Sequence, residues 1–116
     1  MRKIILLCAA MAATGARAED AGLVETATFW YVHAIGLAAE CPTWKVDISR
    51  AALLLKTFKI SDDDYSDGGK YHDLFMKIAG TIKPKIQRAG EAAACVDAEN
   101  FYGPNGSFVK WLMDRN

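Results

Sequence analysis

Hydrophobic and polar positions in this chain recur with the period of an α-helix over most of its length. Between residues 22 and 40, apolar residues return at steps of three and four, as on one buried helical face: Leu23, Ala27, Trp30, Ala34, Leu37 and Cys41. Pro42 ends this first predicted helix, because the residue before a proline avoids the helical region. A second helix is predicted from Ile48 to about Phe58, with Asp47 as its N-cap.

The longest apolar stripe predicts a long helix that faces the core. Its positions are again three or four residues apart: Tyr71, Phe75, Ile78, Ile82, Ile86, Ala89, Ala93 and Val96. Pro84 lies inside the stripe, and a proline removes one backbone hydrogen bond and clashes with the preceding turn. We therefore predict a kink or short break near Thr81–Lys83, within one bent helix, because the stripe continues across the proline.

The remaining segments contain helix starts and turns. Ser61 precedes three aspartates, which is typical of a capped helical start. The turn-forming run that begins at Tyr102 is followed by a last predicted helix from Phe108 to about Arg115, capped by Ser107. The alternation after Trp44 is too short to predict a strand. The pattern as a whole predicts an all-α, single-domain bundle of four or five helices with a kinked long helix.

The first eighteen residues have the pattern of a secretory signal peptide. Arg2 and Lys3 precede an apolar stretch from Ile4 to Ala13, and Ala16-Arg17-Ala18 has the small-x-small pattern of a cleavage site. We expect residues 1–18 to be removed and residues 19–116 to form the domain. No later stretch is apolar for long enough to predict a transmembrane segment. The expected location is the periplasm or the extracellular space.

Cys41 and Cys95 are the two cysteines that follow the predicted signal. In an oxidising compartment, two cysteines in a small domain predict one disulfide bond. A loop of this length is worth on the order of 4 kcal/mol in the chain-entropy model. A metal or redox role is disfavoured, because the sequence has no Cys-x-x-Cys. The bond would join the end of the first helix to the end of the long one.

Charge narrows the range of partners. The chain has 14 basic and 14 acidic residues, and removal of the signal leaves it mildly acidic, which argues against nucleic acid. Its 52% hydrophobic content excludes wholesale disorder. Basic residues are concentrated on the predicted long helix. Together with one aromatic residue they form the predicted surface for a partner protein: Lys77, Lys83, Lys85, Arg88 and Trp111.

The acidic run at Asp62 invites comparison with a calcium-binding loop. Asp62, Asp64 and Ser66 stand at alternating positions, as the oxygen ligands of such a loop do. The sixth position is then Asp67, where a calcium loop requires glycine. A capped helix start explains the run better, so we predict no metal ion and no cofactor.

The two histidines are the best candidates for catalysis. His72 is adjacent to Asp73, but neighbouring residues on a helix point apart and do not form a base with its orienting carboxylate. His33 lies on the flank of the first helix near Phe29. No nucleophile motif accompanies either histidine. We predict a non-catalytic protein, and a small enzyme that uses His72 and Asp73 is an alternative.

The placement of Cys41 and Cys95 in a small, secreted helical chain is similar to the layout of periplasmic acid-stress chaperones of the HdeA type. Immunity proteins against periplasmic toxins have a similar size and build. These resemblances imply a protein that binds a partner protein, as an inhibitor, an immunity protein or a stress chaperone. A periplasmic carrier of a small apolar ligand is the other alternative, with its cavity between the first helix and the long helix.

Overall fold

A computed structural model describes residues 22–116, and 66% of these residues are helical. The predicted signal peptide, residues 1–18, lies outside the described residues. Four α-helices and a short 3-10 helix alternate with two short strands: α1 (22–40), β1 (Trp44–Val46), α2 (Ile48–Thr57), the 3-10 helix (Asp62–Tyr65), α3 (His72–Ala89), α4 (Glu91–Tyr102) and β2 (Met113–Arg115). The predicted small, all-α fold is confirmed.

Helix α1 contributes to both parts of the core. Ala34 and Leu37 pack in a cluster with residues of α3, α4 and β2, while Ala27 packs with Leu55 and the 3-10 helix. Gly36 allows α1 and α3 to approach closely, because a Cβ atom there would lie 2.8 Å from Cδ1 of Ile86. No helix within residues 22–116 is long and apolar enough to cross a membrane.

The helix starts predicted at Asp47 and Ser61 are confirmed. The Asp47 carboxylate accepts a hydrogen bond of 3.0 Å from the backbone N–H of Arg50 and caps α2. The Asp64 carboxylate accepts the Ser61 N–H at 2.9 Å, as in a capping box. The three aspartates of the 3-10 helix therefore lie at its start, where the partial positive charge of free N–H groups favours them.

The interruption predicted near Thr81–Lys83 lies instead at Gly90. Helix α3 continues through Pro84 to Ala89, and Gly90, at φ +92°, separates it from α4. Glycine adopts this backbone conformation without steric cost. The predicted stripe does not extend into α4, because Val96 is 56% exposed and the buried face of α4 is formed by Ala94, Ala98 and Tyr102.

The predicted last helix from Phe108 to Arg115 is wrong. Trp111 has a φ of +65°, which no α-helix accommodates, and the chain beyond it is extended. Strand β2 pairs antiparallel with β1, with Met113 opposite Val46. The sequence segment that was too short to predict as a strand is a strand because a distant segment completes its hydrogen bonds.

The predicted disulfide bond between Cys41 and Cys95 is confirmed. The two Cα atoms are 5.2 Å apart, and Cys41 is fully buried. Because Cys95 lies within α4, the bond ties the end of α1 to the side of the last helix.

Candidate functional site

An open apolar groove lies between α2 and α3, and we call it the α2–α3 groove. Its volume is about 380 Å³. Tyr31 of α1 lies between the two walls, which are formed mainly by apolar side chains of α2, the 3-10 helix and α3, including Ile48, Ala52, Leu55, Tyr65 and Phe75. The groove is therefore a surface at which apolar side chains of three α-helices and the 3-10 helix meet.

Aromatic stacking and one hydrogen-bond chain fix the Tyr31 end of this groove. The Tyr65 ring stacks on Tyr31 at 5.9 Å and lies 5.1 Å from the ring of Phe75. The hydroxyl of the fully buried Thr28 donates to the Val24 carbonyl at 2.7 Å and accepts from the Tyr65 hydroxyl at 2.8 Å. Because Tyr65 is held on both its ring and its hydroxyl, the groove has its shape before any partner arrives.

Apolar side chains continue from the groove onto the surface. Ile48 is 78% exposed, and it lies one helical turn from Ala52 on the same side of α2. Leu53 is also exposed, at 58%, but it does not line the groove. Single exposed apolar residues are common on protein surfaces, whereas a contiguous apolar surface marks an interaction site. Ile48 is part of a contiguous apolar surface, whereas Leu53 is a single exposed residue.

The acidic residues lie at one end of the α2–α3 groove. Asp62 lines it, and its charge adds to burial in raising the pKa of Tyr31. Of the predicted metal ligands, Asp64 binds the Ser61 N–H and Ser66 contacts the Asp62 carbonyl oxygen. No group of three or more His, Cys, Asp or Glu residues that could hold a metal ion occurs in the part of the chain that the structure describes.

The basic residues of the predicted partner surface lie on different faces of α3. Lys77 and Arg88 are eleven residues apart, about three turns, and share one exposed face. Lys83 and Lys85 are two residues apart and therefore point about 200° away from each other. Trp111 is exposed in the segment that follows α4, and its backbone N–H donates a hydrogen bond to the Gly103 carbonyl oxygen. Whether these residues contact a partner stays a prediction.

A second, smaller groove, of about 170 Å³, lies where α3 and α4 meet α1. We call it the His33 groove. Its apolar side chains include Phe29, Ile82 and Ile86, and its polar ones are His33, Lys85 and Asp97.

The His33 ring is held by a buried tyrosine. Nδ1 of His33 lies 2.6 Å from the hydroxyl of Tyr102, whose side chain is fully buried, and Phe29 stacks on the imidazole at 5.1 Å. Burial lowers the pKa of His33, and the charge of Asp97 opposes this shift in part. Burial also raises the pKa of Tyr102 far above its usual range, so its hydroxyl stays protonated. The ring is therefore neutral near pH 7 and fixed in orientation.

His72 has a different role from the one considered for catalysis. Its Nδ1–H donates to the Tyr65 carbonyl oxygen at 2.9 Å, and its Nε2 lies 3.4 Å from a carboxylate oxygen of Asp67. These contacts brace the turn between the 3-10 helix and α3. The carboxylate that contacts His72 is that of Asp67, and not that of its neighbour Asp73.

Sequence reasoning identified His33 and its neighbour Phe29, but it did not identify Tyr102 or the groove beside Ile48. Tyr102 follows His33 by 69 positions, and no local pattern links the two. Ile48 looked like an ordinary first residue of a buried helix. In the folded protein, however, its side chain is exposed.

Comparison of the chain with known protein families, with curated proteins and with solved structures found no match. The fold defines a small, disulfide-linked helical domain with open surface grooves, and the α2–α3 groove and the His33 groove both involve α1. The function is therefore argued from the chemistry of these grooves.

Proposed function

We propose that this protein is a non-catalytic binding protein that holds an amphipathic helix of a partner protein in the α2–α3 groove. The observation that supports this proposal is the continuous apolar surface from Tyr31 and Phe75 to the exposed Ile48. Burial of an isoleucine side chain is worth about 2 kcal/mol. An apolar surface of this kind that remained in water would forgo that stabilisation and invite association.

A helix is the partner element that suits these walls. The groove is bounded by α2 and α3, and Tyr31 of α1 lies between them. Helices pack by placing a ridge of side chains into such a groove, and a helix with an apolar stripe at steps of three and four supplies the ridge. An added strand would need an open sheet edge, and the residues that line this groove belong to helices and to the turn beside Asp62.

Charge defines the partner further. Asp62 lines one end of the groove, and Asp63 and Asp67 are exposed beside it. A partner helix with a basic residue near Asp62 would complement this charge. Such pairs steer association and set specificity more than they raise affinity.

The disulfide bond favours an oxidising compartment, which agrees with the predicted periplasmic or extracellular location. The partner would then be a protein of the same compartment. An inhibitor, an immunity protein and a stress chaperone all bind in this manner, and they differ in whether the partner is one protein or many.

Photo-crosslinking tests the proposal at the groove itself. A photoreactive residue at Ala52 of the oxidised domain, residues 19–116, is expected to attach to one segment of a partner from the envelope or secreted fraction. A synthetic peptide of that segment is expected to become helical on binding and to carry the basic residue described above. Attachment to a segment that binds without becoming helical would contradict the proposal.

Two matched pairs of variants complete the experiment. Ile48→Lys should weaken binding of the peptide at least about tenfold, since a charge would enter the apolar contact, while Leu53→Lys on the same helix should not. Asp62→Asn should slow association in low salt, while Glu91→Gln, at an exposed position on α4, should not. Equal losses from Ile48→Lys and Leu53→Lys would refute this groove as the binding site.

A further inference from the structure

The His33 groove combines two opposite charges with an apolar wall. Lys85 extends from α3 and Asp97 from α4, and both line this one small groove. They form no ion pair within 4.0 Å, whereas the ion pairs found within residues 22–116 join Lys70 to Asp64 and His72 to Asp67. A cation and an anion that face one groove without contacting each other suit a ligand that carries both charges.

The imidazole adds a fixed polar group. The Tyr102 hydroxyl is buried, and His33 is its hydrogen-bond partner within residues 22–116, so the hydroxyl proton is donated to Nδ1. The proton of the neutral ring is then on Nε2. Within residues 22–116 no protein group bonds to Nε2. His33 therefore offers the groove an N–H donor whose orientation is set by Tyr102 and by stacking on Phe29.

We infer that the His33 groove binds a free α-amino acid with an apolar side chain. The ligand's carboxylate would bind Lys85 and the Nε2–H of His33, its ammonium group would bind Asp97, and its side chain would pack on Phe29 and Ile82. The groove, of about 170 Å³, has room for several water molecules and so for a small ligand. This inference does not depend on the proposed partner helix, which occupies the other groove.

The same groups exclude other small ligands. A phosphate ester would bring two negative charges beside Asp97, and like charges repel strongly where water is partly excluded. A purely apolar molecule would make no polar contact with Lys85, Asp97 or the Nε2–H of His33. The requirement for a positive and a negative group in one ligand is therefore the specific and testable part of the inference.

Calorimetric titration of the oxidised domain, residues 19–116, with three related compounds tests that requirement. L-leucine carries both charges, 4-methylpentanoate lacks the ammonium group, and 3-methylbutylamine lacks the carboxylate. We expect L-leucine to bind at least about tenfold more tightly than either analogue. Equal binding of L-leucine and 4-methylpentanoate would reduce the groove to an anion site and overturn the inference, and so would the absence of any heat with L-leucine at millimolar concentration.

Variants assign the contacts. Lys85→Gln and Asp97→Asn should each weaken L-leucine binding about tenfold, while Lys77→Gln, on another face of α3, should leave it unchanged. Lys85 and Asp97 lie at the surface or near it, so these variants are expected to keep the fold, and circular dichroism checks this.

Tyr102→Phe tests the positioning role of Tyr102. A bound ligand whose carboxylate contacts Nε2–H is expected to shift the His33 ¹H–¹⁵N resonance when L-leucine is added. We expect that response in the wild-type protein and a smaller one in the Tyr102→Phe variant. Binding of L-leucine that leaves the His33 resonances unchanged would overturn the assignment of the ligand to this groove.

Discussion

Lowering the pH from about 7.5 to about 5 is expected to destabilise this protein through His33. Burial lowers the pKa of His33 in the folded state, so the folded protein binds a proton less readily than the unfolded chain does. The unfolded chain gains its proton as the pH falls through about 6.5. The contribution of neutral His33 to stability is therefore complete above that pH, and it is lost progressively from about 6.5 down to the lowered pKa of the folded state.

The burial and contacts of His33 set how much stability is lost when the pH falls. One group can change the unfolding free energy by at most about 1.4 kcal/mol per pH unit in such an interval. His33 is only half-buried, and solvent screening keeps the loss of stability below this upper bound. Protonation also converts Nδ1 into a donor that faces the Tyr102 hydroxyl. That hydroxyl must then rotate and accept, which leaves its own buried proton without its previous acceptor.

Chemical unfolding of three proteins measures the effect. The wild-type domain, His33→Gln and His72→Gln are unfolded in urea at about pH 7.5 and about pH 5, above the range in which most carboxylates titrate. The chain has two histidines, so His72→Gln retains His33 as its only one. We expect the wild-type protein and His72→Gln to lose more unfolding free energy between the two pH values than His33→Gln does.

The titration of His33 followed by NMR in the His72→Gln variant gives a direct check. A pKa at or above about 6.5 in the folded protein would refute the reasoning, because it would show that burial does not govern this side chain. An equal pH dependence of stability in wild type and His33→Gln would refute it as well, since another group would then be responsible.

Three further outcomes are expected. Replacement of Cys41 and Cys95 by serine should lower the unfolding free energy by about 4 kcal/mol in urea titrations, unless the loop is already ordered in the unfolded chain. Gly80→Ala, in open space on α3, should stabilise by about 0.5–1 kcal/mol, whereas Gly36→Ala should not, because its new Cβ would crowd Ile86. Asp114→Asn should raise the melting temperature at pH 7, because Asp114 faces the N-cap carboxylate of α2, which raises its pKa.

Helix starts and the disulfide bond were predictable because they depend on local chemistry. Asp47 caps α2 and Ser61 begins the 3-10 helix through bonds to residues three positions away, and such bonds leave a pattern in the sequence. The pairing of Cys41 with Cys95 needed only a count of cysteines and a predicted compartment. These features required no knowledge of how the helices pack.

Helix boundaries that depend on packing were not predictable. The apolar stripe appeared to continue past Gly90 because Ala93 and Val96 kept its spacing. The buried face of α4 is formed instead by Ala94 and Ala98, together with Tyr102. Alanine fits a buried or an exposed helical position, so its spacing carries little information. Strand β2 was missed for a different reason, since three residues hold no period that distinguishes a strand from a helix.

The two grooves are separate sites because of the geometry of α1. Tyr31 lines the α2–α3 groove and His33 the other, and two residues apart on a helix point about 200° away from each other. Ile48→Lys and Asp97→Asn therefore change different surfaces, and each serves as a control for the other. A domain that binds a partner helix in one groove and an amino acid in the other can couple the two events through α1 and α3, because both helices line both grooves. If L-leucine shifts the affinity for the partner helix, the partner must shift the affinity for L-leucine by the same factor.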